Sequence, residues 1–382
     1  MIDAVELAQS LIRCPSVTPQ DEGALDVLET TLKSLGFACY RLPFEDVDNL
    51  YASIGTGGPN FCFAGHTDVV PPGDVDLWRS KPFAAEIRNG TLYGRGAADM
   101  KSAIAAFVAA AERALAKGAP NGTISLLITG DEEGLAVNGT KKMLEWLAAR
   151  GERIDHCVVG EPGSVAHAAD VIKHGRRGSM NFRVSVSGMQ GHSAYPQNAL
   201  NPLPAMAKLV TRLSETPLDS GTDHFEPSTL QFTSIDVGNP ATNVIPAAAH
   251  GRFNIRFNDL HTPETLLRRI ETVSEEIARE TGCEIAVEGN ATGVAFLTKP
   301  GPFTELLRDA AEKITGTRPR YSTGGGTSDA RFIKDYCPVA EMGLPGTTMH
   351  KTDECVPVAE IHRLVDIYET ALELYFAEPL SG

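Results

Sequence analysis

Several common features are missing from this 382-residue chain, and each absence removes a class of function. No apolar run approaches the roughly 20 residues that a membrane-spanning helix needs, so no membrane partner is expected. Basic charge is in deficit: 34 Lys and Arg against 49 Asp and Glu give a formal net charge of -15. Without a basic stripe to displace phosphate counterions, a nucleic-acid partner is excluded. Cysteine pairs are missing too. The seven cysteines (Cys14, Cys39, Cys62, Cys157, Cys283, Cys337, Cys355) are odd in number and scattered, with no C-x-x-C. Neither a disulfide framework nor a thiolate zinc site is expected, and Cys62 and Cys157, inside apolar runs, read as small hydrophobes. There is no G-x-S-x-G, which disfavours a serine hydrolase. The first residues, "MIDAVELAQSLIRCPS", read as an amphipathic helix that is acidic where a signal peptide is basic, so a cytoplasmic location is expected. Internal repeats and low-complexity stretches are also absent.

What is present is an ordinary folded composition, 42% hydrophobic and 22% charged, in a chain long enough for two domains. The first half alternates strands ("NLYASIG", "PNFCFAGH", "GTISLLITGDEE", "HCVVGE") with helices ("DEGALDVLETTLKSLG", "MKSAIAAFVAAAERALAKG"), each helix closed by a glycine. That alternation predicts an α/β fold, its sheet mostly parallel and covered on both faces. Near residue 178 the rhythm changes. "SMNFRVSVSGM" alternates strictly, and a helix over 199–213, two strands, a helix over 263–280 and the strand "CEIAVEG" follow. From about 293 the α/β pattern resumes, with helices over 303–314 and 358–376 around the strand "CPVAEMG". The expectation is a discontinuous α/β domain of residues 1–178 and 293–382, interrupted by an inserted α+β domain of residues 179–292.

The chemistry lies at strand ends: His66 in "FCFAGHTDVVPPG", Asp99 in "GRGAADMKS", Glu132 and Glu133 in "LLITGDEEG", Glu161 in "CVVGEPGS" and His350 in "TTMHKTDE". Each alone has a plainer reading. His66 is an ordinary loop histidine, Asp99 a helix N-cap, and Asp131 to Glu133 a solvated acidic run. Together they suit a pair of divalent metals, with one carboxylate left for proton transfer. Asp68, two residues after His66, is placed to accept a hydrogen bond from the second ring nitrogen. Asp99 reads as the carboxylate shared by two ions roughly 3.5–4 Å apart. Glu133 reads as a ligand and Glu132 as the general base. Nitrogen and oxygen donors suit Zn²⁺, with Co²⁺ or Mn²⁺ able to substitute. His192 in "GHSAYP" is either a surface residue or a donor to a developing oxyanion. Arg176 and Arg177 in "IKHGRRGS" and Arg256 in "NIRFN" are solvated arginines or carboxylate partners. The loop "STGGGTSDARF", with Gly326, Thr327 and Ser328, lacks a P-loop lysine and follows no clear strand. It reads as backbone N–H groups gripping a carboxylate.

These motifs, in this order and over nearly the whole chain, resemble the M20 family of di-zinc amidohydrolases and peptidases. "GHTDVVPPGD", "GRGAADMKS", "GDEEG" and "GEP" carry the family resemblance. "IKHGRRGS", "GHSAYP", "NVIP", "STGGGTSDARF" and "MHKTDE" narrow it to members that remove a succinyl group from an amino-acid amine. The resemblance implies two zinc ions per subunit, one on His66, Asp99 and Glu161 and one on Asp99, Glu133 and His350, with Glu132 as base and acid. It implies a homodimer through the inserted domain, which serves as lid and dimerisation domain. His192 and Asn243 would then act from the partner subunit, beside Tyr195 of "GHSAYP", on a small substrate bearing several carboxylates. One position departs from the family pattern: Gly346 in "GLPGTTMH" stands where many members carry Asn. Two other readings compete: a deacylase of the same family acting on an acetylated amino acid, and a metal-loaded binding protein without catalysis, which would have no use for Glu132.

Overall fold

A computed structural model describes residues 1–377 and divides the chain into two compact units. The first comprises Met1–His174, Thr298–Ser322 and the residues from Ser328 onward. Among the described residues its main sheet has eight strands, in the order Ala38–Arg41, Leu50–Gly55, Thr123–Thr129, Asn60–His66, His156–Val159, Val339–Glu341, Val171–Lys173 and Arg320–Ser322. The four central strands are mutually parallel, and Leu50–Gly55 and Ala38–Arg41 join antiparallel. Parallel strands end at one edge. The loops that follow His66, Thr129, Val159 and Glu341 therefore leave from the same side of the sheet, where ligands of such sheets sit.

Burial explains why these strands form where they do. Every residue of Asn60–His66 is buried, as a strand covered on both faces requires. The helix Lys101–Ala116 is buried at every position from Lys101 to Ala111, its alanines keeping it slim. Phe107 on it stacks on Phe63 with ring centroids 4.4 Å apart, and Tyr368 of the closing helix Val358–Ala377 meets both rings edge-on. Several elements are not anticipated above. One is the helix Thr140–Ala149. Another is a three-stranded sheet of Glu86–Arg88, Thr91–Tyr93 and Cys355–Pro357, which joins a hairpin to a segment more than 250 residues further along the chain. All seven cysteines are free.

The second unit comprises Gly175–Leu297 and Thr323–Thr327. Its antiparallel sheet runs Thr229–Asp236, Ala248–Phe257, Gly178–Ser187, Glu284–Gly293. Alternate residues of the two central strands, among them Phe182, Val184, Phe253 and Ile255, pack under the helices Pro202–Glu215 and Pro263–Thr281. The latter helix begins with the Thr262/Thr265 capping box and Pro263 in its first turn, and stops at left-handed Gly282. The borders differ from 178/179 and 292/293. Gly175–Arg176 pairs antiparallel with Phe296–Leu297 and draws both segments into this unit. The glycine loop is likewise corrected: it follows the strand Arg320–Ser322, which is too short to show a pattern and is held by parallel pairing with Val171–Lys173.

Candidate active site

His66 ends its strand almost fully buried, at 1% exposure. Its Nδ1 donates to the backbone carbonyl of Asp68 at 2.9 Å, so the Nε2 lone pair is the one presented to the site. Nε2 lies 3.1 Å from Asp99 Oδ1 and 3.7 Å from Glu161 Oε1. The other oxygen of Asp99, Oδ2, lies 3.4 Å from His350 Nε2, which is also 2.9 Å from Glu133 Oε1. Asp99 thus turns one oxygen to each histidine. Two overlapping triplets, His66–Asp99–Glu133 and His66–Glu132–Glu161, each offer three ligand atoms within 4.8 Å of one another. Glu132 is part of the second triplet, so it lies among the candidate ligands rather than apart from them. Local backbone choices serve the cluster. His350 adopts a left-handed conformation, with φ +62°, uncommon for a residue with a Cβ. A Cβ on Gly160, just before Glu161, would stand 2.5 Å from the Phe63 ring.

The electrostatics follow from burial and from the charges packed together. Burial pushes the His66 pKa down, but Asp99, Asp68 and Glu161 outweigh it and hold it well above its ordinary value. His350 is raised to about 10 by its bonds to Asp99 and Glu133. Burial would raise Asp99, yet the two histidines hold it well below the usual carboxylate range. Glu132 is pushed well up, by burial first and then by Glu161. Four carboxylates around two imidazoles form a candidate donor set for divalent cations; the nitrogen and oxygen atoms present fit that group.

Asp68 requires a correction. Its carboxylate is not the main partner of the His66 ring, since Oδ1 lies 3.6 Å from Nδ1. The turn brings the Asp68 carbonyl closer, and the carboxylate instead accepts the backbone N–H groups of Glu132 (3.2 Å) and Glu133 (3.0 Å). Burial raises this carboxyl to about 6. Asp131, first of the acidic run, turns away and accepts from Val137 and Asn138 N–H, closing the loop.

In the second unit, His192 pairs with Val244, beside Asn243, whose carbonyl accepts from Ser193 N–H. The Ala194 N–H donates to His192 Nδ1 at 3.0 Å, so a neutral ring carries its proton on Nε2. Tyr195 lies 5.7 Å from the His192 ring, centroid to centroid, and is exposed. Arg177 and Arg256 lie close enough to repel. Burial and then Arg177 lower the Arg256 pKa, and Arg177 Nε is buried without a partner. Arg176 is buried, and its Nη1 anchors the glycine loop by donating to the Gly324 and Gly326 carbonyls. Gly326 is exposed and Thr327 half-buried. Ser328, in the first unit, is wholly buried and its hydroxyl donates to Glu341. At Gly346 a Cβ would lie 2.2 Å from the Pro162 carbonyl, so this chain has no room there for Asn.

Sequence reasoning missed two charged neighbours of the cluster, Arg95 and Glu354, both buried and paired. The signal was present, since each sits inside a motif already quoted, "GRGAADMKS" and "MHKTDE".

The profile of Peptidase family M20/M25/M40 matches residues 62–374. The chain is 58% identical over 381 residues to a succinyl-diaminopimelate desuccinylase of Rhodospirillum centenum, covering 98% of each chain. It is 57% identical over 380 residues to one of Parvibaculum lavamentivorans, covering 98% of this chain and 96% of that one. Among solved structures, aminopeptidase PepT of Bacillus cereus is similar, with a TM-score of 0.82, 22% identity and 97% of each chain covered. A dinuclear metal-binding M20 peptidase of Bacillus subtilis has a TM-score of 0.75 at 16% identity, with 98% of each chain covered. The chain belongs to peptidase family M20/M25/M40.

Proposed function

We propose that this protein hydrolyses the amide bond of N-succinyl-LL-2,6-diaminopimelate, giving succinate and LL-2,6-diaminopimelate, a step that leads to lysine and to cell-wall diaminopimelate. The observation that carries this reading is the donor cluster at the sheet edge, in a chain 57–58% identical to succinyl-diaminopimelate desuccinylases. His66, Asp99 and Glu161 would hold one cation and Asp99, Glu133 and His350 a second. The donor chemistry favours zinc, with cobalt able to substitute. Divalent cations held there supply Lewis acidity, polarising an amide carbonyl and making water more acidic.

The side chains do the rest. Glu132 takes a proton from the attacking water and hands it to the nitrogen as the C–N bond breaks, so the amine leaves neutral. Asp68 holds the Glu132 and Glu133 backbone in place during that transfer. The chain works as a homodimer through the inserted unit, and the partner subunit's His192 donates its Nε2–H to the developing oxyanion. The paired guanidiniums of Arg177 and Arg256 take substrate carboxylates in place of their mutual repulsion. Asn243, Tyr195, Gly326 and Thr327 complete the substrate contacts. No helix among the described residues is long and apolar enough to cross a membrane, and the location proposed is the cytoplasm.

The deciding experiment uses metal-stripped protein, with and without zinc, and offers it N-succinyl-LL-diaminopimelate and N-acetylornithine. Zinc-dependent cleavage of the succinyl compound alone is expected. Cleavage of the acetyl compound alone would overturn the substrate, and cleavage of neither by zinc-loaded protein would overturn the enzyme.

A further inference from the structure

We propose that Arg95 and Glu354 are positioning residues, a buried ion pair that sets the register of the three loops carrying His66, Asp99 and His350. The inference rests on the reading that these donors face one cation pair. Neither residue belongs to the donor set, and at 2% and 0% exposure neither meets solvent. Glu354 Oε1 accepts the backbone N–H of Ala98 at 2.9 Å and of Asp99 at 3.1 Å, fixing the peptide from which the Asp99 side chain projects. Glu354 Oε2 takes Nη1 of Arg95. The same Nη1 reaches the carbonyl of Lys351, directly after His350, at 3.4 Å. Nη2 reaches the carbonyl of Pro71, in the loop after His66, also at 3.4 Å. These two contacts are longer and weaker than the ion pair, but each lands on a different donor-bearing loop. The Arg95 Cζ lies over the Trp78 ring, 5.4 Å from its centroid.

Chemistry distinguishes this pair from simple packing. A guanidinium offers donors in several fixed directions, which an ammonium cannot reproduce. Apolar side chains of similar volume often replace a buried ion pair with no loss of stability, because desolvation consumes most of the attraction. Such a replacement would fill the space yet give no directional hold on Ala98, Asp99, Lys351 or Pro71. Register of the loops is therefore what the charges supply here, beyond filling volume.

The test compares stripped wild type, Glu354→Gln, and the double variant Arg95→Met/Glu354→Met. The readouts are stepwise Co²⁺ affinity by calorimetry, the visible spectrum of the cobalt-loaded protein, the thermal midpoint without metal, and kcat and KM. For the double variant a near-normal midpoint is expected, with a changed cobalt spectrum, Co²⁺ affinity and kcat each lowered about 10- to 100-fold, and KM unchanged. Wild-type cobalt affinity and spectrum in the double variant would overturn the proposal. Should the double variant not fold, Glu354→Gln decides. It keeps the size and one acceptor oxygen, and a wild-type cobalt response from it would equally overturn the proposal. A wild type that fails to take two Co²⁺ would sink the reading of the site itself, a result distinct from normal binding in the variants.

Discussion

Asp68 and Asp99 are buried aspartates beside the same histidine, and their surroundings give them different tasks. Asp99 turns its oxygens to two imidazoles. Asp68 turns its oxygens to two backbone N–H groups, so it acts on Glu132 and Glu133 through their peptides. In Asp68→Asn one oxygen is replaced by an amide nitrogen that meets a donor. Turnover should fall about 10- to 100-fold while elemental analysis finds the metal retained. Glu132→Gln removes the base but not the cavity, and turnover should fall by about 10²–10⁴-fold with metal content intact. Activity surviving in that variant would reassign the base. A third residue predicts pH behaviour away from the site. His156 lies against the Phe303 ring, tilted 33° to it, pairs with the Tyr375 hydroxyl, and has its pKa lowered below 6.5 by burial. Above that value the ring is neutral in folded and unfolded chains alike and contributes nothing. As pH falls through 6.5 the unfolded chain takes the proton first, so stability is lost on acidification. Denaturation of His156→Gln across this range should show a flatter dependence than wild type, and equal slopes would remove His156 from the account.

At the scale of elements, the helix Lys101–Ala116 links core to chemistry, since it starts two residues beyond Asp99 and is buried along most of its length. Phe107 holds it to the sheet through Phe61 and Phe63. Phe107→Ala should cost about 3–5 kcal/mol in chemical denaturation, the usual range for emptying a buried phenylalanine site. A loss well below this range would mean that the neighbouring alanines collapse into the gap. The helix and the central strands were legible in sequence because their periodicities are local. The strand Arg320–Ser322 and the sheet of Glu86–Arg88, Thr91–Tyr93 and Cys355–Pro357 were not. Each of these strands is three residues long, and Arg320–Ser322 and Cys355–Pro357 pair only with partners distant in sequence.

The whole molecule raises the question of assembly, because His192 belongs to a unit separate from the one bearing the donor cluster. If the partner subunit's His192 completes each site, Glu132→Gln and His192→Ala proteins, each inactive alone, should regain part of the activity when mixed and allowed to exchange subunits. Confirmed exchange without recovery would count against the shared site. The net charge of -15 bears on this scale as well, since bound dications would neutralise part of it.

The sequence by itself determined the fold class and pointed to the interrupted domain and the candidate donors, because strand-end positions and residue types are local properties that motifs carry intact. Only the tertiary structure decided which atoms face which. It moved the Asp68 carboxylate from the His66 ring to two peptides, withdrew Ser328 and Arg176 into the interior, and revealed Arg95 and Glu354 between the donor-bearing loops. The physical reason is the same in each case. A polar group that is buried must find its partner within about 3 Å, and which partner that is depends on strands and loops brought together from far apart in the chain.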